Sequence, residues 1–329
     1  MLPIAMLTGA SIYFIYRMLP APMHCIGPML SSFLGVFQPL LIFMMLFLTF
    51  CRIEPKDLRP HRWHWWLLLI QGGMFAILAL IATAILRWIP ERSKDLGVLI
   101  ESAMLCFICP TATAAAVVTR KLGGDVPGIT TYIVLINILT ALLVPIFIPL
   151  IQPESTLGFW IPFKMIVAKV FPLLITPCLA AWLIRYLLPK LHQRLLSYPD
   201  LAFYLWAVAL TLAIAVTTKS IVHSTMGVGL ILSMSFVSLL CCAIQFWAGR
   251  AVGSSYIPRF NQHSDDAVEQ GRQIRKVTAG QSLGQKNTVF AIWLAYTFMT
   301  PETAIVGGLY SIWHNIYNSS QLRKVTKKV

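Results

Sequence analysis

Two stretches decide how this chain reads: residues 101–125, ESAMLCFICPTATAAAVVTRKLGGD, and residues 275–295, RKVTAGQSLGQKNTVFAIWLA. Each is a run of membrane-spanning length that is interrupted near its middle. In the first, Pro110 is followed by Thr111, Ala112, Thr113 and more small residues. Proline removes a ladder hydrogen bond and crowds the preceding turn, so a helix is expected to kink or unwind there. In the second, Gly280 and Gly284 flank Gln281, Ser282, Gln285, Lys286 and Asn287. Such a polar cluster at membrane depth is tolerated only where it faces protein or water.

The rest of the chain supplies the membrane. Its 329 residues are 57% hydrophobic and 12% charged, against about 25% charged in a soluble domain, with a mean hydropathy of +0.74. That balance excludes an ordinary soluble enzyme, a disordered chain and, despite a net charge of +14, a nucleic-acid binder. A span needs about 20 apolar residues, and breaking the runs at charge and Pro clusters gives ten. They cover approximately 2–20, 29–50, 63–89, 96–120, 126–151, 161–188, 200–217, 225–257, 273–298 and 302–321. Long continuous runs exclude an outer-membrane barrel. The expected fold is therefore an all-α integral membrane protein with ten transmembrane helices.

The first run lacks a basic leader and a small-residue cleavage site, so it reads as a mature span. All seven cysteines lie in or beside apolar helices and read as packed thiols, the C-x-x-C of Cys106 and Cys109 included. No metal-ligand cluster, phosphate loop or nucleophile elbow is present, so no catalytic residue, cofactor or metal is expected.

Sorted by side of the membrane, 18 of the 26 Lys and Arg fall with the two termini and seven fall opposite. The positive-inside rule then makes the chain a multi-pass plasma-membrane protein, of the bacterial inner-membrane kind, with both termini cytoplasmic. The basic loops and the cytoplasmic tail, residues 323–329, read as solvated or lipid-headgroup-facing basic patches. RWHWW at 62–66 reads as an interfacial aromatic anchor, and 259–276 as a polar cytoplasmic connection.

Lys286 belongs to neither side. It lies 10 and 11 residues after Lys276 and Arg275 and 16 before Glu302, near mid-bilayer at ~1.5 Å per residue. A lysine there costs roughly 2.5–3.5 kcal/mol on insertion scales, so it should have a partner or water. Glu101 is the acid expected within a span. It reads as a counter-charge to Lys286, as a proton carrier, or as a residue at the outer interface.

Helix four of the first five spans and helix four of the second five are the interrupted ones. Two five-helix repeats, 1–151 and 152–322, would have inverted topology. Interrupted segments at corresponding places point to a transporter binding site near the membrane midplane.

The residues at these places resemble a known family. CPTATAAAVVTRKLGGDV (109–126) resembles the broken fourth helix of the bile acid:sodium symporter family, within the larger group of bile-acid, arsenite and related transporters. GLYSIWHNIYNS (308–319) is similar to its final helix, and KNTVFAIWLAYTF (286–298) falls where the family has a Gln-Asn step in a broken ninth helix. The resemblance implies a panel of spans 1, 2, 6 and 7 and a core of spans 3–5 and 8–10, with broken helices 4 and 9 crossing. It also implies alternating access and an organic anion as substrate, bile salts and small carboxylates being the family's range.

Thr113, His314 and Asn315 match family substrate contacts, and Thr111 and Asn287 join them as candidates at the breaks. The sodium ligands do not carry over. Ala115, Ala116, Ile129 and Ile133 stand at ligand positions, the acidic position falls on Ser282 or Gln281, and Lys286 replaces a glutamine. Hard cations need several oxygens. The ion-site and coupling candidates are thus Lys286, Ser282, Gln281, Gln285 and Glu101, with the Lys286 ammonium replacing a bound sodium. The expectation is sodium-independent transport, facilitated or proton-linked. A sodium-coupled bile-acid or organic-anion symporter, an exporter resembling arsenite- or auxin-type relatives, and a ligand-binding sensor stay open. Nothing in the sequence demands more than a monomer.

Overall fold

The computed structural model describes residues 2–18, 26–88, 93–151, 158–198, 201–255 and 265–326. Cys25, Arg92, Arg259, Lys327 and Lys328 lie outside the described residues. The described chain is all helical, with thirteen α-helices and no named strand. They are α1 (Leu2–Met18), α2 (Ile26–Cys51), α3 (Arg62–Trp88), α4 (Ser93–Ile108), α5 (Ala114–Lys121), α6 (Val126–Phe147) and α7 (Trp160–Leu187). Next come α8 (Pro189–Leu196), α9 (Leu201–His223), α10 (Val228–Ser255), α11 (Asp265–Gly284), α12 (Thr288–Phe298) and α13 (Ala304–Thr326).

Five segments are long and apolar enough to cross a membrane by length and composition: Arg62–Ile85, Val126–Leu150, Trp160–Leu187, Tyr204–His223 and Val228–Ser255. Large apolar side chains such as Leu7, Leu69, Leu80, Leu232, Phe236 and Trp247 point outward. A solvated surface would be costly with such a girdle, whereas hydrocarbon accepts it.

Proline position matters less than what surrounds it. Pro39, Pro145, Pro172 and Pro177 sit inside continuous helices, while the chain leaves helical geometry between Ile108 and Ala114, around Pro110. A second break separates Gly284 from Thr288.

α1 packs on α9, and α2 on α7 and α9; α10 packs on α11, α13 and α4, and α3 on α4 and α6. The α10–α11 contact depends on missing side chains. A Cβ on Gly249 would lie 2.4 Å from the Ala279 carbonyl oxygen, and one on Gly253 would lie 2.5 Å from that of Arg275. This G-x-x-x-G spacing brings two backbones together, the usual way membrane helices gain packing when no hydrophobic force drives them.

Three local expectations are corrected. The connection expected over 259–276 is helical from Asp265, where α11 begins. The short α8, unforeseen between spans six and seven, starts on Pro189 at its first position, where the missing N–H costs nothing. It is pinned by His192, whose Nε2 bonds the Cys51 carbonyl at 2.8 Å. In the RWHWW stretch only Trp65 and Trp66 of the apolar residues face outward. Trp63 and His64 are buried, and His64 donates from Nε2 to the Gly128 carbonyl at 2.9 Å while Nδ1 accepts from the His61 N–H.

A candidate site where two broken helices cross

The breaks meet each other. The Asn287 N–H donates to the Pro110 carbonyl at 2.8 Å, and the Ala112 N–H donates to the Gln285 carbonyl at 3.0 Å. The two segments thereby form a single antiparallel bridge between Thr111 and Lys286. Backbone groups freed from one helix are satisfied by the other, which is how a non-helical segment becomes affordable inside a membrane protein.

The helix ends at the crossing are also tied. Asn287 caps α12, its Oδ1 accepting from the Phe290 N–H at 3.1 Å. Thr111 Oγ1 donates to the Ser282 carbonyl at 2.5 Å, and Tyr310 OH to the Gly284 carbonyl at 2.8 Å. At the end of α4, the Ile108 carbonyl accepts from Thr140 Oγ1 at 3.0 Å and the Cys109 carbonyl from Gln71 Nε2 at 2.9 Å. Tyr132 OH holds that glutamine through Oε1, also at 2.9 Å. These glutamine, tyrosine and threonine side chains come from α3, α6 and α13. They satisfy the carbonyls that a helix C-terminus leaves open.

Thr111, Ser282, Gln285, Lys286 and Asn287 are brought together and buried. Gln281 sits one turn earlier on α11 and donates from Nε2 to Asn318 Oδ1 at 3.0 Å. Thr113, His314 and Asn315 are buried as well, but no hydrogen bond among the described residues joins them to that set. Asn315 Nδ2 reaches Ser311 Oγ at 3.4 Å. Glu101 lies elsewhere: its Oε2 accepts from Thr303 Oγ1 at 2.8 Å, and Thr303 in turn shares a 2.6 Å bond with Thr300. No ion pair joins it to Lys286 among the described residues, so the counter-charge expectation is corrected. A threonine hydroxyl, placed by the α12–α13 turn, takes the role of partner.

Lys286 is 2% exposed and its Nζ has no hydrogen-bond partner. It lines a cavity of about 10 Å³ with Cys106, Cys109, Thr288 and Tyr310, room for one water at most. Buried polar atoms of Ser282 (Oγ), Gln281 (Oε1), Gln285 (Oε1) and His314 (Nδ1) are likewise without partners. Ala115, Ile129 and Ile133 are fully buried and carry no side-chain oxygen. The six described cysteines are free and buried.

A second, larger feature escaped the sequence. A cavity of about 510 Å³ opens between α1, α2, α9 and α12, lined among others by Gln38, Lys219 and Glu302. Its polar residues come from distant parts of the chain: Gln38 from α2, Lys219 with Ser220 and His223 from α9, and Glu302 from the turn after α12. A lone Gln or Lys in a span is the signal that would have flagged them.

The sequence model of the Sodium Bile acid symporter family matches residues 39–225. That stretch includes the first break and ends before the second. No curated protein matches the chain.

Proposed function

The chain belongs to the sodium bile acid symporter family, and from that premise we propose that it is a secondary transporter carrying an organic anion by alternating access without sodium. The chain is an integral membrane protein. In this reading it spans ten times as two inverted five-helix repeats, 1–151 and 152–322, with both termini cytoplasmic. The mutual packing of α1, α2, α7 and α9 supports a panel, and the breaks at the fourth helix of each half support a core that moves against it. The N-termini of α5 and α12 both start at the crossing, and positive helix ends favour an anion there. Thr111, Thr113, Asn287, His314 and Asn315 are the substrate contacts on this reading.

The observation that carries the sodium-free reading is the Lys286 ammonium itself. It sits on the bridge between the two breaks, buried and without a partner. In this reading the tethered cation stands in for a bound one, adding positive charge at the crossing that favours an anionic substrate. Sodium is disfavoured by the replacements that the family resemblance points to, since Ala115, Ile129 and Ile133 carry no side-chain oxygen. A second reading, sodium coupling, draws on the partnerless oxygens of Ser282, Gln281 and Gln285.

Reconstitution into proteoliposomes separates the two. Uptake of an organic anion should be equal with sodium and potassium outside and should be lost in Lys286→Gln. Sodium-stimulated uptake that survives Lys286→Gln would refute the first reading and establish the second.

A further inference from the structure

The 510 Å³ cavity between α1, α2, α9 and α12 has the size of a small-molecule site, where volumes run from about 300 to 1,000 Å³. Tyr13, Tyr16, Trp293 and Tyr296 wall it. Aromatic faces stack on flat apolar bodies and also attract cations. Most of its polar groups are occupied: Tyr13 OH bonds His223 Nε2 at 2.9 Å, and Ser220 bonds Tyr296.

Three groups are not. Gln38 is only 5% exposed, and its Nε2 has no hydrogen-bond partner. A buried donor left unmade costs stability unless something else takes it up. Lys219 and Glu302 line the same cavity, and neither forms an ion pair or a side-chain hydrogen bond with another described residue. Opposite charges that share a cavity without pairing leave both available. An acid alone would meet Lys219 and be opposed by Glu302; an amine alone would meet the reverse.

We propose that this cavity is a binding site for a zwitterion: an organic acid with a flat apolar body that also carries a basic nitrogen. Lys219 takes the acid, Glu302 the nitrogen, and Gln38 an acceptor on the body or the acid. Complementary charge at both ends selects this class against a plain anion or a plain amine. The purpose of the site rests on the transporter reading, but its occupancy is measured without transport.

The test uses three probes with one indole body: tryptophan, indole-3-propionate and tryptamine. Each is titrated by calorimetry against the full chain in detergent. Tryptophan should bind about tenfold more tightly than either of the others, a factor of ten per charge satisfied being a modest demand on a partly solvated pair. Glu302→Gln should weaken tryptophan and tryptamine and strengthen indole-3-propionate. Lys219→Gln should weaken tryptophan and indole-3-propionate and strengthen tryptamine. Gln38→Leu should weaken tryptophan while raising the unfolding temperature, which shows that the variant is folded. Equal affinity for tryptophan and indole-3-propionate, binding of none of the three, or indifference to the two charge variants overturns the proposal. Binding with the expected charge pattern but no counterflow of tryptophan or of any organic anion in proteoliposomes upholds the site and refutes the transporter reading. Counterflow of an organic anion by a chain that binds none of the three probes refutes the site and leaves the transporter reading standing.

Discussion

Replacing Lys286 by methionine should make the protein more stable and less active at once. The ammonium is buried, lacks a hydrogen-bond partner and has beside it a cavity of about 10 Å³. One water is the most that could solvate it there. The cost of holding a lysine at mid-membrane is roughly 2.5–3.5 kcal/mol on insertion scales. Methionine has nearly the same length and is apolar, and a volume-conserving exchange in a packed interior costs less than about 1.5 kcal/mol. The difference leaves Lys286→Met more stable by roughly 1–3 kcal/mol. At about 2–4 °C per kcal/mol for chains of this general size, the midpoint should rise by roughly 2–12 °C. Thermal unfolding of the detergent-purified chain, followed by tryptophan fluorescence, measures it, and counterflow in proteoliposomes measures the activity. A residue kept at such a cost is expected to serve function, so activity should vanish as the midpoint rises. A midpoint below that of the parent would show that the ammonium is compensated where it lies, and the reasoning would fail. Full counterflow in a stabilised Lys286→Met would equally refute a role in transport.

Gly253→Val should separate α10 from α11, because its Cβ would lie 2.5 Å from the Arg275 carbonyl oxygen. Overpacking of that kind costs typically 1–3 kcal/mol or more, seen as a lower midpoint, whereas Gly35→Val, with nothing within 4 Å of its Cβ, should leave the midpoint nearly unchanged. Asn287→Ala removes the α12 cap and should cost about 0.5–2 kcal/mol, with Asn287→Asp retaining most of it. On the loop after α2, Glu54 is bonded by Lys56 first and by Arg185 at 3.0 Å, and both hold its carboxyl below the ordinary 4.5. A depressed folded value contributes stability above the unfolded value and loses it as pH falls below that value. Glu54→Gln should therefore lower the midpoint slightly at pH 7, and the gap from the parent should close as pH drops below 4.5. A gap that widens in acid would contradict the assignment.

The two breaks were legible because few physical outcomes are open to Pro110 or to a Gln-Lys-Asn step inside an apolar run. What satisfies them was not legible. Asn287 bonds Pro110, and Ala112 bonds Gln285, main chain to main chain, and a backbone group leaves no mark in the identity of the residue that carries it. Side-chain compensation was equally hidden, since Gln71, Tyr132 and Thr140 read as ordinary polar residues of helices until they reach the end of α4. The expectation of mid-membrane depth for Lys286 comes from counting residues to the charged ends of one run, while its partnerless state depends on α4 and α13 and came only with the fold. Glu101 shows the same divide: its presence in a helix was readable, but its choice of Thr303 over Lys286 was set by a turn far along the chain. The consequence concerns where function is sought. The backbone of the crossing has satisfied itself and neighbouring side chains have closed the open carbonyls, yet buried polar atoms stay unmatched. Lys286 Nζ is one, with Ser282 Oγ, Gln285 Oε1 and His314 Nδ1, and Gln38 Nε2 is another. A polar atom that is buried and unmatched is not explained by the fold, so the crossing and the cavity beside α2 are where a ligand or a moving charge has much to gain.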